Sequence, residues 1–302
     1  MVVSIRSCRS YCVFAMKHDI VTYKKKSLSF RTMIMVAASS AMICQAGCSN
    51  KTVLWHDAAH YPHGYIHADQ VPFARASALL SPAPSPGSPQ DNIDKETMRK
   101  VQATASPARR NIAAHDAVLG PPAAPAAFEC AMGISFDPEK APHLTRLLAR
   151  ALPDVETVQK SIKVEGRFRA RPYVAMNFQP CVDGSALAKT SSYPSGHAAI
   201  GWAWALVLAE MVPDRAETIL QRGIDYGNSR VICGFHYPTD VQAGRLLGSA
   251  VVSLWHATKP FQKEYEKSKQ EINTLRNKSP SPEYCKKDIE ILNYERSDIS
   301  HQ

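Results

Sequence analysis

The sequence predicts an all-α fold, and three observations lead to that prediction. Strand-like alternation of apolar and polar residues is scarce along the whole chain, whereas long apolar stretches have helical spacing or helix-forming composition. Prolines, glycines and small polar residues stand at the ends of these stretches, where helices start and stop. The chain of 302 residues is also long enough to bury a full core. We therefore expect one helical bundle.

The first half of the predicted bundle follows a proline-rich piece. Residues 79–89 contain repeated prolines and predict an extended segment. Residues 95–120 suit one or two helices, and prolines at 121–125 predict a loop. The helical pattern resumes near Cys130 and continues through residues 142–152 and 155–168.

The most apolar segment, residues 198–209, predicts a buried helix because apolar side chains cover almost its whole circumference. Pro194 and Ser195 are its start signals. The first N–H groups of such a helix have no backbone partner, and they favour a nearby anion by about 0.3 to 1 kcal/mol. Gly196 allows a bulky oxyanion to approach the backbone, and His197 lies within its reach as a proton donor. In the alternative interpretation Ser195 only caps the helix and His197 is a core histidine.

Two further helices are predicted around a short turn. Residues 215–231 have helical spacing after Asp214, which places Arg230 at the C-terminal end. The turn at 233–238 contains His236, and residues 240–257 predict the next helix with Thr239 as its N-cap. The carboxylate of Asp240 can accept a hydrogen bond from one nitrogen of His236 and leave the other free to attack. Helix ends that converge on one anion indicate phosphate chemistry.

These residues resemble the motifs of the type 2 phosphatidic acid phosphatase superfamily. Pro194-Ser195-Gly196-His197 is followed by Ser229-Arg230, five residues, His236, three residues and Asp240. Residues 192–204 and 229–240 are most similar to bacterial class A non-specific acid phosphatases, and the similarity covers roughly residues 79–257. The resemblance implies a helical bundle of the type 2 phosphatidic acid phosphatase and vanadium haloperoxidase fold. It also implies an acid phosphatase for small phosphomonoesters that needs no metal or other cofactor.

The same resemblance assigns roles to single residues. His236 is the catalytic nucleophile that forms a phosphohistidine, His197 protonates the leaving group and then activates water, and Asp240 orients His236. Five residues are expected to bind the phosphoryl oxygens: Lys163, Arg171, Ser195, Gly196 and Arg230.

The sequence departs from the family pattern in one motif, which is a lysine, six residues, then Arg-Pro. Lys163 stands one position too far from Arg171-Pro172. Either a one-residue insertion keeps Lys163 at the phosphate, or Arg167 or Arg169 supplies the charge instead.

Two other functions fit the same motifs. Vanadium haloperoxidases share them because vanadate mimics the phosphoryl transition state, so a vanadate-dependent haloperoxidase is one alternative. The other is a surface lipoprotein that binds phosphate without turnover. The intact His197, His236 and Asp240 argue against it, because binding alone requires the arginines but no nucleophile.

Residues 1–48 have the features of an export signal of lipoprotein type. Basic residues precede an apolar stretch at 33–43 that is too short for a comfortable membrane span. Ala46-Gly47-Cys48 resembles a lipoprotein box with Cys48 as the lipidated residue, whereas cleavage near Ala46 is the alternative. We expect a periplasmic enzyme, tethered to the membrane if Cys48 is lipidated. The oligomeric state, monomer or homo-oligomer, stays open.

The basic charge of the chain belongs mostly to this leader. Residues 1–48 hold seven of the 36 basic and one of the 27 acidic residues, so the remainder carries a net charge of only +3. A nucleic-acid partner is therefore not expected.

The remaining features concern cysteines and chain ends. Four cysteines, Cys130, Cys181, Cys233 and Cys285, suit either disulfides in an exported protein or free core positions. Among three possible pairings, Cys181 with Cys233 would brace the turn that carries His236. We expect an exposed arm at 49–78, whose irregularly spaced histidines do not favour a metal site, a catalytic domain at 79–258, and a loosely attached charged tail at 259–302 that Cys285 could tether.

Overall fold

The computed structural model describes residues 63–67, 79–120, 126–162 and 168–300, all of which belong to one compact unit, Val53–Gln302. Within these ranges the regular structure is helical and contains no strand, so the all-α prediction is confirmed. Short 3₁₀ turns occur at Ser185–Leu187 and Pro213–Arg215. The α-helices are α1 (Pro89–Thr104), α2 (Pro107–His115), α3 (Glu129–Met132), α4 (Pro142–Ala149), α5 (Ala151–Ile162), α6 (Pro172–Ala175), α7 (Gly196–Met211), α8 (Ala216–Ile232), α9 (Pro238–His256), α10 (Lys259–Leu275) and α11 (Pro282–Ser300).

Helix α7 lies at the centre of the bundle and packs mainly against α8 and α9. Most of its side chains are buried, as its uniformly apolar sequence predicts. Small residues allow its neighbours to approach closely. A Cβ atom at Gly244 of α9 would lie 2.4 Å from the Ser195 carbonyl oxygen, and one at Gly248 would lie 2.4 Å from that of Ala199. These contacts fix the N-terminal end of α7 against α9.

Two helix starts differ from the sequence prediction. Helix α9 begins at Pro238 rather than Asp240, because proline fits the first helical position and the Asp240 carboxylate accepts a hydrogen bond from Tyr237 N at 2.9 Å. Thr239 is therefore inside the helix. Helix α1 begins at Pro89, where the Ser88 hydroxyl caps Asp91 N, rather than near residue 95.

The prediction of an exposed arm is wrong for Tyr65 and Ile66, although His63 and His67 on either side of them are exposed. Tyr65 and Ile66 are only 3% and 7% exposed, and their backbone N–H groups donate to the buried Asp154 carboxylate at 2.8 and 2.9 Å. The Tyr65 ring packs edge-on against Trp255 and Phe261. An aromatic residue and a buried acceptor thus hold this piece in the core. Within the predicted arm, only residues 63–67 are described.

The prediction that the folded domain ends at residue 258 is also wrong. Helix α10 packs against α4, and it buries Phe261, Ile272 and Leu275 in the main core. Its Glu271 accepts hydrogen bonds from the first N–H groups of α4. The apolar stripe that looked thin in sequence is sufficient because another helix covers it. A disulfide between Cys130 and Cys285 joins α3 to α11.

The predicted export segment 1–48, with Cys48, lies outside the described residues. Among the helices that the structure describes, none combines the length and apolar character required to cross a bilayer.

Candidate active site

One pocket gathers most of the residues that the motifs single out. It lies where the N-terminal end of α7, the turn between α8 and α9, and the start of α6 meet. Five predicted site residues line it, namely Arg171, Gly196, His197, Arg230 and His236. The other lining residues are Glu156, Gln159, Lys160, Leu187, Thr190, Ser191 and Pro194.

The hydrogen bonds of His236 define its tautomer. Its Nδ1 lies 2.7 Å from the carbonyl oxygen of Ser192, which can only accept. Its Nε2 lies 3.0 Å from Nη1 of Arg171, which can only donate. The proton therefore sits on Nδ1 and the lone pair on Nε2. Burial, with Arg171 and Arg230 nearby, lowers the pKa of His236 well below its usual value, so the imidazole is neutral at pH 7, and its Nε2 lone pair accepts the hydrogen bond from Arg171.

Asp240 does not contact His236 in the way that the sequence suggested. Its Oδ2 accepts from the Ser192 hydroxyl at 2.5 Å and from Tyr237 N at 2.9 Å, while Oδ1 binds Arg169 Nη1 at 2.6 Å. The carboxylate faces Ser192 because it caps the start of α9. Asp240 is thus linked to His236 through Ser192, whose carbonyl oxygen accepts from the imidazole.

His197 projects from the first turn of α7 and is held by two neighbours. Its Nε2 lies 3.1 Å from the backbone oxygen of Asp116, and its ring stacks on Tyr226 at 6.1 Å between centroids. Since a carbonyl accepts, Nε2 carries a proton and Nδ1 is the nitrogen left to titrate. Burial, and the nearby charge of Arg230, lower the pKa of His197 well below its usual value.

The two pocket arginines, Arg171 and Arg230, differ in how many of their N–H donors have hydrogen-bond partners within the protein. Arg171 donates to Thr190 Oγ1 and to the carbonyl oxygens of Ser191 and Phe235. Arg230 is 2% exposed, yet its Nε and Nη1 have no hydrogen-bond partner within the described protein. Burial lowers the pKa of each guanidinium to about 10. A buried cation with unused donors beside a pocket is suited to an anionic ligand.

The remaining predicted phosphate ligands have separate outcomes. The Ser195 hydroxyl accepts from Ala198 N at 3.2 Å and caps α7, so its contact with phosphate stays a prediction. Lys163 and Arg167 lie outside the described residues. The alternative in which Arg169 supplies the phosphate charge is wrong, because its guanidinium is occupied by Asp91, Asp94 and Asp240.

Sequence reasoning missed the residues that hold the histidines. Ser192 carries no signal beyond its position before the Pro-Ser-Gly-His run. Asp116 is distant in sequence, and its carboxylate is fixed by Arg222 and by the Ser229 hydroxyl at 2.6 Å. Ser229, which the motif includes, therefore supports the carbonyl that holds His197.

A disulfide supports the turn between α8 and α9 that carries His236. Cys181 and Cys233 are bonded, which is the pairing that the sequence favoured. Cys233 ends α8 and comes three residues before His236.

Within the described residues, no group of three or more His, Cys, Asp or Glu side chains is arranged to hold a metal ion.

Comparisons with known proteins agree with this geometry. The profile of the PAP2 superfamily matches residues 155–264, which include every predicted catalytic residue. An acid phosphatase of Zymomonas mobilis is 32% identical over 84% of this chain and 94% of its own length. Non-specific acid phosphatases of Providencia stuartii and Salmonella typhimurium are 37% and 34% identical over 66% of this chain, and the matches cover 81% and 80% of those proteins. The chain therefore belongs to the PAP2 superfamily and is a class A-like acid phosphatase within it.

Proposed function

We propose that the protein hydrolyses phosphomonoesters through a phosphohistidine on His236, without a metal ion. The observation that carries this proposal is the bonding of His236. Its proton is held on Nδ1, and its Nε2 lone pair lies in the pocket beside two buried arginines. A neutral imidazole fixed in this way is a nucleophile, whereas phosphate binding alone does not require one.

In the first step, Nε2 of His236 attacks phosphorus and the P–O bond to the leaving group breaks. The departing alkoxide takes a proton, which His197 supplies from Nδ1. Because His197 is neutral in the empty site, the dianionic substrate must first raise its pKa so that it binds that proton. The arginines stabilise the charge on the equatorial oxygens as it develops.

In the second step, water attacks the phosphohistidine. His197, which is now neutral, accepts the water proton through Nδ1, and the P–N bond breaks. Inorganic phosphate leaves and His236 returns to its Nδ1–H tautomer. In this scheme the pocket arginines provide the positive charge that metal ions provide in other phosphatases.

The test is hydrolysis of p-nitrophenyl phosphate by the purified protein with a chelator present, from about pH 4 to about pH 8. We expect turnover in the wild type and none in His236→Ala. Quenching with an alkaline denaturant during turnover should trap phosphate on the wild-type chain only, because the P–N bond of phosphohistidine hydrolyses in acid and is stable in base. Turnover that persists in His236→Ala would contradict the nucleophile assignment. Absence of turnover in the wild type at every pH would favour phosphate binding or vanadate chemistry instead.

The lysine of the interrupted motif is a separate part of the proposal. We propose that Lys163 binds a phosphoryl oxygen, so Lys163→Ala should lower kcat/KM far more than Arg167→Ala does. The reverse order would show that the one-residue insertion removed the lysine from the site.

The proposal includes export. Residues 1–48 supply the signal, and the lipoprotein-like box places the anchor on Cys48. Cell fractionation of the wild type and of Cys48→Ala tests this: we expect membrane association of the wild type only. Equal release of both proteins into the periplasm would leave ordinary signal cleavage as the correct interpretation.

A further inference from the structure

We infer that Asp94 is a positioning residue for His236, and that it acts through a chain of three buried side chains. The inference rests on the function proposed above. Asp94 lies on α1, outside residues 155–264 that the superfamily profile matches, so the shared motifs do not include it.

The first link is Arg169, whose guanidinium is 7% exposed and lies 4.0 Å from the centre of the Tyr237 ring. Its Nη2 donates to Asp94 Oδ2 at 2.8 Å, and its Nη1 donates to Asp240 Oδ1 at 2.6 Å. The arginine therefore bridges α1 and the first turn of α9. Its position is determined from both sides.

The next links lead to the imidazole. Asp240 accepts the Ser192 hydroxyl, and Ser192 N donates to the carbonyl oxygen of Arg169 at 2.8 Å. Ser192 is thus bonded to both members of the Arg169–Asp240 pair. Its own carbonyl oxygen accepts from His236 Nδ1. A shift of Arg169 is transmitted to the group that sets the tautomer and direction of His236.

Asp94 is better placed for this role than its neighbour Asp91. Asp94 is completely buried, and its second oxygen accepts from the Thr239 hydroxyl at 2.8 Å. Thr239 and Asp240 share one helical turn, so Asp94 holds that turn directly as well as through Arg169. Asp91 makes a longer bond to Arg169, 3.1 Å, and also pairs with the partly exposed Lys95.

The charges support a role beyond stability. Three carboxylates, those of Asp91, Asp94 and Asp240, converge on Arg169. A buried ion network of this kind contributes little stability compared with apolar packing, although it fixes geometry. Burial raises the pKa of Asp240 despite the opposing effect of Arg169. The cluster is connected to His236 through Ser192.

The test compares Asp94→Asn with Glu96→Gln, a matched carboxylate-to-amide control at an exposed position of the same helix. Asp94→Asn should lower kcat and the rate of the first turnover on the order of 10- to 100-fold, with KM nearly constant. Glu96→Gln should change kcat by at most about twofold, since an exposed carboxylate contributes little. Nitrogen NMR of His236 should show only the Nδ1–H tautomer in wild type and Glu96→Gln, but a mixture in Asp94→Asn.

Equal kcat values for the two variants, with one unchanged tautomer, overturn the inference while wild-type turnover leaves the proposed function intact. If the wild type itself has no turnover, the proposed function fails, and the NMR comparison still decides the positioning role. If Asp94→Asn does not fold, Ser192→Ala interrupts the same chain without burying an unpaired charge. A wild-type tautomer in that variant overturns the inference, and a mixture supports it.

Discussion

Arg171 donates from Nη1 to Nε2 of His236 over 3.0 Å. This contact places the buried positive charge of the guanidinium next to the nitrogen that we assign as nucleophile. It opposes protonation of the ring and keeps the guanidinium where the phosphoryl oxygens must lie when Nε2 attacks. One arginine therefore serves the free enzyme and the transition state.

Replacement of Arg171 should affect catalysis strongly. We expect Arg171→Ala to lower kcat/KM on the order of 10²- to 10³-fold, because it removes a charged donor from the developing phosphoryl charge. Arg146→Ala is the control, since that arginine is 44% exposed and pairs with Glu264 away from the pocket; it should leave kcat/KM within about twofold. Steady-state kinetics check both. Similar losses in the two variants would contradict the assignment.

The two pocket histidines predict how stability changes with pH. Burial depresses the pKa of His197 and His236 below the ordinary histidine value of about 6.5. Below that value the unfolded chain binds protons that the folded chain does not. The free energy of unfolding should therefore fall as the pH drops below 6.5, by about 1.4 kcal/mol per pH unit for each histidine.

Thermal unfolding between about pH 7 and about pH 5 measures this effect. His197→Gln should flatten the dependence. Inorganic phosphate should restore part of the lost stability, because its negative charge favours protonated histidine. A wild-type profile that is flat below pH 6.5, or an equal slope in His197→Gln, would refute the pKa argument.

The sequence predicted the helix ends at which the proposed catalytic residues lie, because those ends stand within short motifs. His197 follows the start signals of α7, and Arg230 and His236 bracket the end of α8. The sequence did not predict the residues that hold these side chains in position. Asp116 and Asp94 meet the site from 81 and 75 positions away, at His197 and Arg169. Contacts at such separations depend on how helices pack, which periodicity does not determine.

The two errors at the chain ends have a similar origin. Tyr65 and Phe261 each occur in polar surroundings in the sequence, and in the structure they pack against one another with ring centroids 5.4 Å apart. Neither segment has enough apolar residues to predict burial by itself. Both side chains are buried in the core because each ring packs against the other.

The two disulfides should separate stability from activity. Cys130–Cys285 joins α3 to α11 and closes a loop of 155 residues, whereas Cys181–Cys233 closes one of 52 residues and ends three positions before His236. Removal of either bridge by paired Cys→Ala substitutions should cost about 2 to 5 kcal/mol in unfolding free energy. Only loss of Cys181–Cys233 should also lower kcat of the folded enzyme, because it releases the turn at Cys233. Denaturant unfolding and assays well below the melting temperature check this, and equal kcat values would contradict it.

Two glycines of α9 provide a matched pair for the contact between α7 and α9. A Cβ atom at Gly244 would meet the Ser195 oxygen, and one at Gly248 would meet the Ala199 oxygen, each at 2.4 Å. Both obstacles are backbone atoms that cannot rotate away. We therefore expect Gly244→Ala and Gly248→Ala to destabilise the fold similarly, by about 1 to 3 kcal/mol.

Their effects on activity should differ. Ser195 directly precedes Gly196 and His197, so displacement at Gly244 moves the end of α7 that faces the pocket, whereas displacement at Gly248 acts one turn further along. We expect kcat to fall on the order of 10- to 100-fold in Gly244→Ala, with a much smaller change in Gly248→Ala. Unfolding midpoints and kcat, measured on the same preparations, test the pair. If kcat falls in both variants only in proportion to their loss of stability, the N-terminal end of α7 has no special requirement for close packing.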